Sequence, residues 1–152
     1  MSNRESLSIL IADDDPDDCL LTREAFAECQ VGNRLDFVHD GEELLDYLHR
    51  RPPYEDPQRF PLPGLILLDL NMPRLDGREA LRTLKGDTRL CHIPVVVFST
   101  SSADEDIRSS YSGGANSFIS KPSSFSGLLD VVRSLSEYWL QTTTLPLEPQ
   151  RP

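Results

Sequence analysis

The sequence predicts an α/β domain built on a five-stranded, doubly wound parallel sheet, and three observations carry that expectation. Short strand-like runs alternate five times with helix-like segments. The runs Leu65-Ile66-Leu67-Leu68 and Val95-Val96-Val97-Phe98 are apolar at every position, as strands covered on both faces should be. Polar residues stand immediately after the strands, and open parallel sheets bind ligands outside those carboxyl ends, at the topological switch point.

Residues 8–12, Ser-Ile-Leu-Ile-Ala, form the first run, which stops at Asp13-Asp14-Asp15. Pro16 suits a first helical position with Asp15 as its cap, so a helix is expected over 17–29. The second strand is 35–39. Asp40 and Glu43 have capping-box spacing and open a helix to about residue 50. Residues 51–63 hold five prolines and no periodicity, which reads as an extended loop. Strand 65–68 follows, and then Asp76 and Glu79 form a second box, opening a helix to about residue 85. After strand 95–98, a helix is expected to be capped by Ser102 and Glu105 and ended by Gly113-Gly114. Residues 117–120 are the fifth strand and 124–140 the last helix. The domain is thus expected over 7–140, with a proline-rich tail over 141–152.

With 38% apolar residues in 152, the chain can build one core of ordinary size. Its 25 acids against 15 bases give a net charge of -10, which argues against nucleic acid or an anionic membrane as partner. Three cysteines, Cys19, Cys29 and Cys91, make no Cys-x-x-Cys pair and fit a reducing, cytoplasmic setting rather than a disulfide framework or zinc site. The opening MSNRESLSIL lacks the apolar run of a signal peptide, and no stretch approaches the roughly 18 apolar residues of a membrane span.

The strand-end residues Asp13, Asp14, Asp69, Ser99, Thr100 and Lys121 should therefore be read together. Asp69 ends an apolar run and is poorly solvated, near two further carboxylates. Three such groups would repel, and at least one pKa would rise, unless a cation sits among them. Hard oxygen donors with room for water and substrate phosphate oxygens suit Mg²⁺. Lys121 adds a positive point charge. A carboxylate nucleophile, a dication and an ammonium are the parts needed to receive a phosphoryl group in line.

The pieces Ile-Ala-Asp-Asp-Asp-Pro, Leu-Leu-Asp-Leu-Asn-Met-Pro, Val-Val-Phe-Ser-Thr-Ser and Phe-Ile-Ser-Lys-Pro resemble, in order and spacing, the receiver domain of two-component response regulators. Ser99 lies 30 residues after Asp69, and Lys121 lies 52 after it. The resemblance implies a flavodoxin-like fold with strand order 2-1-3-4-5. It implies Asp69 as phospho-acceptor, with Mg²⁺ held by Asp13, Asp14, Asp69 and the backbone carbonyl of Asn71. It further implies that Ser99 bonds the phosphoryl group, that Phe118 is an aromatic switch, that Lys121 pairs with phosphoryl oxygens, and that the Lys121–Pro122 peptide is cis. The donor would be a histidine kinase, and the only chemistry would be the chain's own phosphorylation and dephosphorylation. The insert at 51–63 and the ending Glu-Tyr-Trp-Leu-Gln-Thr-Thr-Thr-Leu-Pro resemble single-domain regulators of bacterial and cyanobacterial phytochrome kinases. Departures are Ser99 where Thr is usual and Asp13 where Glu is common.

Other readings compete. Asp13, Asp15, Asp17 and Glu24 fall at EF-hand positions, but Asp18 replaces the required Gly and Pro16 interrupts the loop. Phosphoaspartate hydrolases carry an acid two residues after the nucleophile, where this chain has Asn71. A degenerate receiver that only binds partners would usually have lost an acid or the lysine. Asp15, Asp17 and Asp18 read as a capped, solvated helix start.

Only 12 residues follow residue 140, so the output is expected to be a protein contact. On the last helix Phe125, Leu128, Leu129, Val132 and Trp139 should cover the sheet. Val131, Leu135 and Tyr138 mark a neighbouring apolar face. With Trp139, Leu145 and Leu147, that face is expected to form a homodimer.

Overall fold

The structure is a computed structural model that describes residues 7–101, 103–142 and 144–146. Strands β1 (Ser8–Ala12), β2 (Arg34–Val38), β3 (Leu65–Leu68), β4 (Val95–Ser99) and β5 (Ser117–Ser120) alternate with helices α1 (Pro16–Glu28), α2 (Gly41–Leu48), α3 (Gly77–Gly86), α4 (Asp104–Ser112) and α5 (Phe125–Leu135). All strand pairs are parallel, in the order β2-β1-β3-β4-β5. The order turns back between β1 and β3, which is the switch point the sequence pointed to.

The period-2 geometry of a strand divides the apolar runs between two cores. Leu10, Ala12, Ile66, Leu68, Val95 and Val97 face α2 and α3, where they meet Leu44, Leu48, Leu81 and Leu84. Ile9, Ile11, Leu65, Leu67, Val96 and Phe98 face α1 and α5, where they meet Phe26, Leu128, Val132 and Leu135. Each fully buried aliphatic side chain contributes about 1.5–3 kcal/mol, so the sheet is held from both sides.

The helix starts are built largely as their sequences require. Asp15 accepts from the N–H groups of Asp17 and Asp18, with Pro16 just inside the helix. Asp76 accepts from Arg78 and Glu79. Asp40 accepts from Glu43 at 2.8 Å, and the Glu43 carboxylate returns to the N–H of His39, one residue ahead of the cap. Such caps are worth about 1 kcal/mol each. Helix α2 stops before residue 50, because Arg50 adopts the left-handed conformation with φ 55°.

Four expectations change. Ser102 lies outside the described residues, and α4 starts behind Ala103, with no capping side chain among the described residues. Asp104, Glu105 and Asp106 instead place negative charge on its first turn, where the helix dipole favours it. The proline-rich segment 51–63 is a loop but not an extended one, since it turns at residues 52–53 and 57–59. Tyr54 and Phe60 pack with Tyr47 of α2, with ring centroids 5.0–5.9 Å apart, and Tyr47 donates to the Pro61 carbonyl at 2.9 Å. The cis peptide among the described residues is Pro52–Pro53, and Lys121–Pro122 is not cis.

The fourth change concerns the last helix. After α5 the chain widens into a π-helix over Ser136–Thr142. Leu135 is 4% exposed and belongs to the core with Leu128 and Val132, an i, i+4, i+7 stripe. It is therefore not on the outer face expected of it. Leu140, five residues beyond, is buried on the same core, as the i→i+5 repeat of a π-helix allows. Val131 and Trp139 also lean on that core, Leu145 is half-buried, and Tyr138 is exposed, its ring edge-on to Trp139. Phe125, expected to cover the sheet, is 39% exposed. Leu147 lies outside the described residues.

Candidate functional site

The backbone ladders run one residue past the strand ends and so bring the polar residues together. Asp13 donates its N–H to Val38, Asp69 to Ala12, and Lys121 to Ser99, at 2.8–3.0 Å. Asp13 follows β1, Asp69 follows β3, Ser99 ends β4 and Lys121 follows β5, all at one edge of the sheet. The start of α3 lies directly against this edge. Gly77 donates to Leu70 at 2.9 Å, and a Cβ at Gly77 would stand 2.1 Å from the Asp69 carbonyl oxygen. Only a glycine allows that approach.

Lys121 Nζ lies 2.6 Å from Asp13 Oδ2, 3.2 Å from Asp18 Oδ2 and 3.3 Å from Asp69 Oδ2. Its side chain and that of Asp69 are each 9% exposed. Burial opposes the charge on Lys121, but the hydrogen bond and charge of Asp13, with Asp69 and Asp18, outweigh it and raise the lysine pKa. Burial also pushes the Asp69 carboxyl above the usual aspartate range. Lys121 and the N–H of Asn71 pull it back only in part, and Asp13 adds to the rise. Asp69 is thus an ill-solvated carboxylate fixed on one oxygen by Asn71, at 3.2 Å, and on the other by Lys121.

One carboxylate oxygen from each of Asp13, Asp14 and Asp69 lies within 4.8 Å of the others. Asp14 is exposed, while Asp13 and Asp69 are buried. An all-oxygen set open on one side fits a small hard dication that keeps water or phosphate oxygens in its remaining positions. Beside Lys121 a cleft of about 270 Å³ opens between α1 and α5, lined by Asp18, Leu21, Thr22, Phe98, Pro122 and Phe125 among others. Lys121 itself lines this cleft.

Ser99 is fully buried, and its Oγ accepts from the N–H of Ser101 at 3.2 Å. The β4–β5 register sets Val97 opposite Phe118. Phe118, like Val97, packs on the α2–α3 core. Ser99 lies two residues along β4 from Val97, so Ser99 and Phe118 address the same face of the sheet.

Asp18 belongs to this cluster, through Lys121, rather than only to the solvated helix start expected of it. Its signal was its place in the first turn of α1, close after Asp13 and Asp14. His39, the residue after β2, contacts the Asp13 carbonyl through Nδ1 at 3.2 Å. The EF-hand alternative fails on the fold, since β1 precedes the acids and Asp15 is spent on the α1 cap. Cys19 lies nearby, but burial and then the Asp13 charge push its thiol up to about 11, which keeps it protonated and unreactive. Among the described residues no helix is long and apolar enough to cross a membrane.

Residues 9–133 match the response regulator receiver domain. The chain is 36% identical over 138 residues to the response regulator Rcp1 of Synechocystis sp., spanning 91% of this chain and 92% of that protein. The crystal structure of the Mn(2+)-bound form of Rcp1 superposes with a TM-score of 0.84 over 93% of this chain and 99% of that one, at 35% identity. The phosphorylated cyanobacterial phytochrome response regulator RcpA superposes with a TM-score of 0.87 at 40% identity, over 93% and 99% of the two chains. The probable methanogenesis regulatory protein FilR2 of Methanothrix harundinacea is 40% identical over 132 residues, 87% of this chain and 83% of that protein.

Proposed function

Because the chain belongs to the response regulator receiver domain family, we propose that Asp69 accepts a phosphoryl group from the phosphohistidine of a histidine kinase and that the aspartyl-phosphate so formed drives a change of shape. The observation that carries this reading is the convergence at one sheet edge of Asp69 with Asp13, Asp14 and Lys121. An Asp69 carboxylate oxygen attacks phosphorus, the bond from phosphorus to the histidine nitrogen breaks, and the nitrogen keeps the electron pair. Lys121 stands where the transferred oxygens gather charge. Mg²⁺, bound by Asp13, Asp14, Asp69 and the backbone carbonyl of Asn71, would supply further neutralisation of those oxygens. Hydrolysis of the acyl phosphate returns the chain to rest, so it turns over no substrate but its own modification.

Ser99 then donates its hydroxyl hydrogen to a phosphoryl oxygen, an interaction with a charged group worth about 1.5–3 kcal/mol. That is enough to move a two-state equilibrium roughly 10- to 150-fold. Phe118, on the same face, turns inward behind Ser99 and carries the change to β5 and α4. The phytochrome class of kinase is favoured by the likeness to RcpA and by the packed insert at 51–63. The free state of Cys19, Cys29 and Cys91 suits the cytoplasm, and the charge of -10 points the output at a protein rather than DNA.

The test is incubation of the chain with acetyl phosphate and Mg²⁺ followed by intact mass. A gain of one phosphoryl group that EDTA prevents is expected. No gain, or a gain indifferent to EDTA, would overturn the assignment.

We further propose that the chain pairs with a second copy through its last helix. Tyr138 is 55% exposed there, its ring against Trp139, and Val131, Trp139 and Leu145 are half-buried, while Leu135 is withdrawn into the core. Light scattering should show a dimer at tens of micromolar that Tyr138→Glu converts to monomer. A monomeric parent chain, phosphorylated or not, would end this idea.

A further inference from the structure

A chain of hydrogen bonds runs to the Ser99 hydroxyl from outside the acidic cluster. Arg78, in the first turn of α3, donates through Nη2 and Nε to Asp106 Oδ1 of α4 at 2.8 and 3.1 Å. The other oxygen of Asp106 accepts the hydroxyl of Ser101, just beyond the end of β4. The backbone N–H of Ser101 in turn donates to Ser99 Oγ at 3.2 Å. Asp106 is braced from behind, because its carbonyl accepts from Ser110 Oγ at 2.7 Å and Ser109 Oγ at 3.2 Å. The Ser101 hydroxyl and then Arg78 hold its carboxyl below the usual aspartate range, so it is ionised at neutral pH. Charge-assisted bonds of this kind fix geometry more firmly than neutral ones.

We propose that Arg78, Asp106 and Ser101 form a latch that positions the Ser99 hydroxyl in its resting orientation and thereby sets how readily the site engages a phosphoryl group. The proposal rests on the phosphoryl-acceptor reading and names the residues that regulate it. For Ser99 to turn toward a group on Asp69, its Oγ must leave the N–H of Ser101. Ser101 can follow that movement only by giving up Asp106. The carboxylate does not move with it, since Arg78 ties it to α3 and two serines tie its backbone within α4. These three side chains are positioning residues, acting through Ser99. Their linkage opposes the switch from the side of the sheet away from Lys121, and it joins α3, α4 and the end of β4 in one state.

The test uses the full chain with Mg²⁺ and beryllofluoride, which mimics a phosphoryl group on a carboxylate, titrated by calorimetry. Ser101→Ala and Arg78→Gln should each bind it about 5- to 10-fold more tightly than the parent, at the lower end of the usual range of allosteric coupling. Arg78→Lys, which keeps one donor to Asp106, should fall between. In a Ser99→Ala background the same substitutions should change the affinity by less than about 2-fold, because the residue they act through is gone. Melting temperatures are recorded for every variant. Variants that melt earlier yet bind with parental affinity, or that shift affinity equally with and without Ser99, would show a merely structural network and overturn the latch. A parent chain that does not bind the mimic would overturn the phosphoryl-acceptor reading itself, and the latch with it.

Discussion

An Asp69→Asn chain should take no phosphoryl group from acetyl phosphate under conditions that label the parent, a loss of at least about 1,000-fold in rate, the scale on which removal of a nucleophile acts. The amide keeps the shape of the carboxylate but offers no anionic oxygen to phosphorus. The same substitution should leave the metal-free fold as stable as the parent or more so, which separates lost chemistry from lost structure. Burial raises the Asp69 pKa in the folded chain, so the folded state binds that proton more tightly than the unfolded state. This stabilisation is present in full below the ordinary aspartate value of about 4 and is lost as pH rises through the higher folded value. Metal-free parent protein should therefore lose stability with rising pH over that window, and the Asn variant should not lose this part. Urea denaturation at several pH values with EDTA checks the sign. An Asn variant that still gains a phosphoryl group, or that is markedly less stable than the parent at pH 7 without metal, would contradict the account.

Gly77→Ala should cost about 3 kcal/mol and lower the melting temperature by roughly 10 °C for a chain of this size. The added methyl would stand 2.1 Å from the Asp69 carbonyl oxygen and 2.8 Å from Leu70 Cα. Both atoms are backbone, so neither can swing aside. Either α3 backs away from the sheet or the end of β3 shifts, and a shift there moves Asp69 relative to Asp13 and Lys121. Metal affinity should fall with stability. Gly86→Ala is the control. It lies at the far end of the same helix with nothing within 4 Å of an added Cβ, so it should be neutral or slightly stabilising. Equal melting temperatures for the two variants would show that the close approach at Gly77 is unimportant.

What was legible in the sequence followed from one-dimensional rules. Ile66, Leu67 and their neighbours could be recognised as a doubly covered strand because burial on both faces removes every polar residue from the run. The site followed at once, since parallel strands end on a common edge and Asp13, Asp69, Ser99 and Lys121 each close a run. What escaped depended on direction in space. Asp18 sits in the first turn of α1, and whether it faces Lys121 depends on how that helix leaves the sheet. Arg78 and Asp106 are 28 residues apart on different helices, and no local pattern pairs them. The segment 51–63 lacks periodicity because it is an irregular loop whose aromatic rings, rather than a repeating face, hold it to α2. Its apolar residues Tyr54, Phe60 and Leu62 were the sign of packing. Leu135 fits two stripes of the last helix equally well, and only contact with Leu128 and Val132 decides between them.

The π-helix at the end of the chain bears on how this sequence can change in length. An α-helix would bury the fourth residue after Leu135, Trp139, whereas the wider turn leaves Trp139 partly buried and buries Leu140. The interval between these two inward leucines is therefore one residue longer than an α-helix needs. Removing a single residue between them would bring the second leucine to the α-helical position with both anchors kept. A relative lacking that residue can present the same buried pair on an ordinary helix, and an alignment gap here would mark a change of helical pitch rather than a missing piece of the domain.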